Sequence, residues 1–165
     1  MYKCFELFER EIMIPIQIWK VYEEAILPTR GTCESAAWDL YSMQDFQLRP
    51  GQTLMISTGL IMKPPEGYHI KILARSGNGK KYDIGIPHGL GLIDRDFCGP
   101  NDVIQVVLHN ATPGDHLCYK EQVWFVKKGD RIAQMIVEKT YELEFNLQTD
   151  LPTAPSRGGL GSTNK

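Results

Sequence analysis

Two carboxylates, Asp94 and Asp96, stand beside Phe97 in the stretch 89–99, GLGLIDRDFCG, directly after an apolar run of Leu90, Leu92 and Ile93. A carboxylate at the end of an apolar hairpin is placed to activate a water molecule. Gly89, Gly91 and Gly99 let the backbone turn tightly and let a ligand approach it closely. The plain alternative is a β-hairpin with a solvated Asp at its tip. His88, near the same tip, has no Cys or second His at metal-ligand spacing. A hydrogen bond to the edge of a base therefore suits it better than metal or acid–base work.

Other residues have the chemistry of anion binding. In 72–81, ILARSGNGKK, the residues Arg75, Ser76 and Gly77 follow directly on a predicted strand, so free N–H groups, a hydroxyl and a guanidinium meet in one place. Near the C-terminus RGGLGST gathers one Arg, three Gly and two hydroxyls within seven residues, the makings of a loop that wraps phosphate. It is not a Walker loop, because the spacing is wrong and Lys165 is not in a GK[ST] context. Asp39 follows the small residues Ala36 and Ala37, which suggests tight packing behind an inward-pointing carboxylate; a turn or cap role is the alternative. In 123–139, Arg131 among apolar neighbours reads as a structural ion pair, and Gln134 as an inward amide able to meet phosphate or as ordinary solvent-facing alternation.

The elements that must hold these groups read as strands. From Ile12 to Val21 apolar residues recur at every second position around Pro15, the signature of an edge strand. Phe46 and Leu48, Leu54 and Ile56, Leu60 and Met62 continue the alternation between RPG and PPEG turns, and regular short strands favour a sandwich or barrel over a βαβ pattern. Val103–Asn110 is β-branched enough for a central buried strand. Two further strands flank a Lys-Gly-Asp turn in 123–139. Helix is expected only as a turn starting near Arg75 and as a short amphipathic stretch with Phe5 and Phe8 in residues 1–10.

The 165 residues suffice for one domain with a real core, here 1–145, followed by a flexible Gly-rich arm, 146–165. A net charge of −2 with both signs interspersed carries no basic footprint for nucleic acid. Cys4, Cys33, Cys98 and Cys118 form no CxxC pair, which argues against zinc and against a disulfide framework. With no signal-peptide core and no apolar window of membrane-spanning length, a soluble cytoplasmic protein without membrane contact is expected.

Taken in order, SAAWDLYS, ARSG, GLGLIDRDFCG, GDRIAQMIVEK and RGGLGST resemble the five ordered motifs of the trimeric dUTP pyrophosphatases, over about residues 25–163. The resemblance implies an all-β, jelly-roll-like barrel with little helix, and a homotrimer with three active sites at subunit interfaces. It implies hydrolysis of dUTP to dUMP and pyrophosphate with Mg²⁺ on the triphosphate. Asp94 would then be the general base and would touch the sugar 3′-hydroxyl, and Phe97, where the family usually has Tyr, would pack on the deoxyribose. His88, Gly91, Leu92 and Ile93 would follow the uracil edge; Arg75, Ser76, Gly77 and Gln134 would hold phosphates. Asp39 would act near the metal through water. Arg157, Leu160, Gly161, Ser162 and Thr163 would close over the nucleotide from another subunit.

Some positions depart from that pattern. Leu160 replaces the usual base-stacking Phe, His88 replaces Asn or a small residue, and Pro100–Asp102 and Ala111–Gln122 are insertions. Three other readings follow: a dCTP deaminase, disfavoured because Gln105–Leu108 (QVVL) offers no acid; a pyrophosphatase for another pyrimidine nucleotide; and a regulatory protein whose nucleotide site switches a partner contact.

Overall fold

In YHIKIL, residues 68–73, Ile70 and Ile72 alternate with His69, Lys71 and Leu73, so one strand face can be buried while the other stays wet. Ile70 and Ile72 are buried and their neighbours only half-buried. The same period in QVVLHN, 105–110, buries Val106, Leu108 and Asn110.

The computed structural model describes residues 13–113 and 122–156. In chain order the strands are β1 (Gln17–Lys20), β2 (Trp38–Tyr41), β3 (Phe46–Leu48), β4 (Thr53–Ser57), β5 (Leu60–Lys63), β6 (Tyr68–Leu73), β7 (Ile84–Gly85), β8 (Gly91–Ile93), β9 (Gln105–Asn110), β10 (Trp124–Val126) and β11 (Arg131–Lys139), with one helix, α1 (Ser76–Tyr82), between β6 and β7. Every pairing is antiparallel. The strands form sheets ordered β2-β11-β6-β8, β4-β9-β7, β1-β5 and β10-β3. Side chains from these sheets meet in one core that includes Leu40, Leu48, Ile56, Leu60, Ile70, Ile104, Leu108 and Ile132. Each such residue contributes roughly 1.5–3 kcal/mol by leaving water. The result is the expected all-β, jelly-roll-like barrel with little helix, and β9 is indeed central to its sheet. No helix among the described residues is long and apolar enough to cross a membrane.

Polar groups tie the shell together. Asn110, fully buried, donates from Nδ2 to the carbonyls of Leu48 and Gln122 at 3.2 and 2.9 Å and accepts the Thr112 N–H on Oδ1. At the turn between β10 and β11, Asp45 accepts the Lys128 N–H at 2.8 Å and the Lys127 ammonium at 2.9 Å. Those bonds, the backbone one first, hold the Asp45 carboxyl below its ordinary value.

Two expectations change. The stretch around Gly89 is not a hairpin: β7 pairs with β9, whereas β8 pairs with β6 in the other sheet. Ile84 and Ile86 are buried in the core, and the turn at Pro87–Gly89 then carries the chain across to the neighbouring sheet. The N-terminal edge strand begins only at Gln17, because Pro15 has no N–H to offer a ladder, although Ile16 and Ile18 do pack on the core. The helix near Arg75 is present as expected and runs from Ser76 to Tyr82; none of its residues is fully buried, but Tyr82 packs against the core. The helix expected in residues 1–10 lies outside the described residues.

Candidate active site

Asp39 sits on β2 with only 8% of its surface exposed. Its Oδ1 accepts a hydrogen bond from Arg75 Nε at 2.8 Å and its Oδ2 one from Arg131 Nη1 at 3.3 Å. Arg75 reaches this point because β6 ends at Leu73 and the backbone stays extended through Arg75, the residue before α1. Arg131 and Gln134 come from β11, which pairs with β2 on one side and β6 on the other; Gln134 stands opposite both Asp39 and Leu73. Its Nε2 donates to the Ala74 carbonyl at 3.1 Å, which leaves Oε1 as the free end of the amide among the described residues.

These side chains line a cleft of about 460 Å³, with Ala36 and Ala37 beside Asp39 and with Gly31 and Ser35 at the rim. Two guanidiniums face one carboxylate, so the cleft keeps a net positive charge and two planar donor groups. That is an anion-binding chemistry, and the size suits a polyphosphate rather than a single small ion. The inward carboxylate at Asp39 and the ion pair at Arg131 are as the sequence suggested. The two alanines differ: they line the open cleft instead of packing behind the carboxylate. Arg131, Gly31 and Ser35 are additions to the expected set; only the placement of Arg131 among apolar strand residues signalled its part. Ser76 and Gly77 are exposed at the first turn of α1, next to Arg75 but not lining the cleft.

The second group of expected residues lies elsewhere. Asp94 and Phe97 are exposed just beyond β8, Leu92 is exposed on it, and His88 is exposed in the turn before it. Gly91 is there because a Cβ would lie 3.2 Å from that of Ile72 across the ladder. After Asp94 the chain is braced by a turn: Asp102 accepts the Gly99 N–H on Oδ2 at 2.6 Å while its own N–H goes to the Gly99 carbonyl at 3.1 Å. Gly99 to Asp102 therefore form a closed turn shortly after Asp94.

Within one chain the two groups do not meet. β2 and β8 are the opposite edges of their sheet. Ile93 pairs with Ile70, so Asp94, one residue further on, lies six residues along β6 from Arg75, on the order of 20 Å at about 3.3 Å per residue. Arg157, Leu160, Gly161, Ser162 and Thr163 lie outside the described residues.

No cluster of three or more His, Cys, Asp or Glu able to hold a metal occurs among the described residues. Both Asp39 oxygens already accept from guanidiniums, so it is a poor direct ligand. The donor set does fit a magnesium ion that takes most of its ligands from phosphate and water, as this ion commonly does.

A family model described as dUTPase matches residues 23–164. The chain is 34% identical over 152 residues to the deoxyuridine 5′-triphosphate nucleotidohydrolase of Solibacter usitatus, a match spanning 91% of this chain and 96% of that protein. Among solved structures, a variant of the Staphylococcus bacteriophage 80alpha dUTPase with dUpNHpp superposes with a TM-score of 0.76 at 23% identity, covering 90% of this chain and 98% of that one. A mutant dUTPase from phage phi11 of S. aureus, which coordinates a structural Mg(II) ion, gives 0.72 at 20% identity, covering 84% and 99%. The structural likeness defines the class, a jelly-roll-like β-barrel of the dUTPase type. With the sequence matches added, the chain belongs to the dUTPase family.

Proposed function

We propose that this protein is a dUTP diphosphatase that hydrolyses dUTP to dUMP and pyrophosphate. The observation that carries the reading is the cleft in which Arg75, Arg131 and Gln134 surround Asp39, on a chain that matches the dUTPase family model over residues 23–164. Arg75 and Gln134, with the hydroxyl and N–H groups of Ser76 and Gly77, hold the triphosphate. Asp94 orients a water molecule towards the α-phosphorus and takes its proton as the new P–O bond forms and the bond to the bridging oxygen breaks. Phe97 packs on the deoxyribose, and residues 88–93 follow the base. Magnesium, when bound, neutralises phosphate charge, with Asp39 touching its water shell. Such a displacement needs a positioned water and charge neutralisation more than covalent chemistry.

The working unit is a homotrimer in the cytoplasm, with Asp94 of one subunit facing the Arg75 cleft of another. The separation of the two groups within one chain supports this. So does the segment after β11, where Tyr141, Leu143, Phe145 and Leu147 are 74%, 72%, 87% and 94% exposed. Apolar residues at every second position are a strand pattern that lacks its covering surface in the isolated chain. The 146–165 arm, carrying Arg157, Leu160, Gly161, Ser162 and Thr163, closes over the nucleotide of a neighbouring subunit.

The test is pyrophosphate release with Mg²⁺ from dUTP, dTTP, dCTP and UTP offered separately. Release from dUTP in preference to the others, reduced roughly 10²–10⁴-fold in Asp94→Asn, is expected. No release from any of them would reject the reading.

A further inference from the structure

Residues 94–104 run from β8 to β9 and carry Asp94 and Phe97. Both ends of the segment are fixed. Ile93 pairs with Ile70 on one side. On the other, Ile104 is fully buried and donates its N–H to the Leu60 carbonyl at 2.8 Å, while its own carbonyl accepts the Thr58 N–H at 3.0 Å and the Thr58 hydroxyl at 2.8 Å. Asp94 itself is exposed, so packing does not aim its carboxylate and the backbone must. That backbone is bonded in steps: Phe97 N–H to the Asp94 carbonyl at 3.2 Å, Cys98 N–H to the Asp96 carbonyl at 2.9 Å, and Gly99 N–H to Asp102 Oδ2 at 2.6 Å. In this series Asp102 supplies a side-chain link, and it stands two residues from the anchored Ile104. Gly99 agrees with that role. It lacks the positive φ that would favour glycine, yet a Cβ there would lie 2.9 Å from Asp102 Oδ2. A glycine at 99 keeps the seat of the carboxylate open.

We propose that Asp102 is a positioning residue for the hydrolysis: its carboxylate holds the Gly99 N–H and so fixes the backbone from which Asp94 and Phe97 project. The inference rests on the functional reading above, in which Asp94 orients the attacking water. A bond from a backbone N–H to a carboxylate is charge-assisted and about twice as strong as a neutral one. Here it ties the middle of the segment to the end that the core anchors. Without it, only the bond from Asp102 N–H to the Gly99 carbonyl at 3.1 Å spans the turn, and Asp94 samples orientations in which the water is misaligned. A misplacement of about 1 Å can cost roughly 10²-fold in rate. The triphosphate is held from other elements, by Arg75 and Gln134, so turnover suffers more than binding.

Four variants test it: Asp102→Ala removes the acceptor, Asp102→Asn keeps one, Gly99→Ala evicts the carboxylate, and the double variant combines the two alanines. Each is melted to check folding, assayed for pyrophosphate release from dUTP with Mg²⁺, and followed by amide hydrogen exchange. Asp102→Ala is expected to lower kcat roughly 10–100-fold while KM for dUTP moves less than about threefold. Exchange should quicken at Gly99 and also at Phe97 and Cys98. Asp102→Asn should restore kcat to within about threefold of the parent. Gly99→Ala should lose as much as Asp102→Ala, and the double variant no more than either, because both act on one bond. A parental kcat in folded Asp102→Ala would overturn the proposal, as would an Asn variant no better than Ala. Should Asp102→Ala fail to fold, Gly99→Ala carries the test, and a parental kcat there overturns it equally. An unaltered protein that releases no pyrophosphate would reject the diphosphatase reading. Exchange then decides the role of Asp102 alone: quickening at Phe97 and Cys98 supports it, and quickening confined to Gly99 overturns it.

Discussion

At 8% exposure, the carboxylate of Asp39 would be costly to bury alone, and Arg75 and Arg131 remove that cost. Asp39→Asn keeps the shape but leaves two guanidiniums facing a neutral amide. The Arg131 side chain is half exposed, so water screens part of the loss, and a destabilisation of about 1–3 kcal/mol is expected, below that of a fully buried pair. Urea denaturation measures it. The same change should raise KM for dUTP, because the guanidiniums lose the group that aims them. An unaltered midpoint together with an unaltered KM would show that the trio is incidental. The sequence made Asp39 and Arg131 visible, since a charged residue inside an apolar strand pattern needs a partner. It did not say which partner: Asp39 is 36 residues from Arg75 and 92 from Arg131, and no local pattern encodes such pairings.

At the scale of elements, β8 depends on a missing side chain. Gly91 lies flat on Ile72, and an added Cβ at 3.2 Å requires one of them to move by a few tenths of an ångström. Ile72 is buried at 2% exposure between β11 and β8 and has little room, so the movement falls on β8. Gly91→Ala is expected to cost about 1–2 kcal/mol in urea denaturation and to raise KM for dUTP, because residues 88–93 shift with the strand. A stability equal to the parent would mean that the ladder absorbs a methyl freely. Most strands were legible because period-two alternation is local. The partners of β7 and β8 were not: Pro87 to Gly89 signals that the chain turns, and nothing in a turn specifies in which sheet the next strand lands. The segment Pro100–Asp102 was equally opaque, since its bond back to Gly99 is one that only the folded backbone reveals.

At the scale of the whole molecule, Asp39 stands on β2 and Asp94 just beyond β8, the opposite edge strands of one sheet, and Arg75 lies at the far end of β6 from Asp94. Neither motif spacing nor composition discloses that separation; it emerges only once β8 is seen to run antiparallel along β6 away from Arg75. The alternation of Tyr141, Leu143, Phe145 and Leu147, by contrast, is plain in the sequence, and it is exposed in the isolated chain, as the proposed homotrimer requires. If Asp94 of one subunit serves the Arg75 cleft of another, two inactive variants should rescue each other. An Asp94→Asn subunit retains its cleft and an Arg75→Ala subunit retains its base, so a site that draws one from each is intact. Random exchange of equal amounts would restore about a quarter of the sites in a closed ring of three. The measurement is pyrophosphate release from dUTP after the two variants are mixed under conditions that allow subunit exchange, compared with each alone. Recovery near that fraction is the expected result. If the mixture stays as inactive as its components, with mixed trimers confirmed by mass spectrometry, then base and cleft belong to the same chain, and β8 must move across the sheet to bring them together.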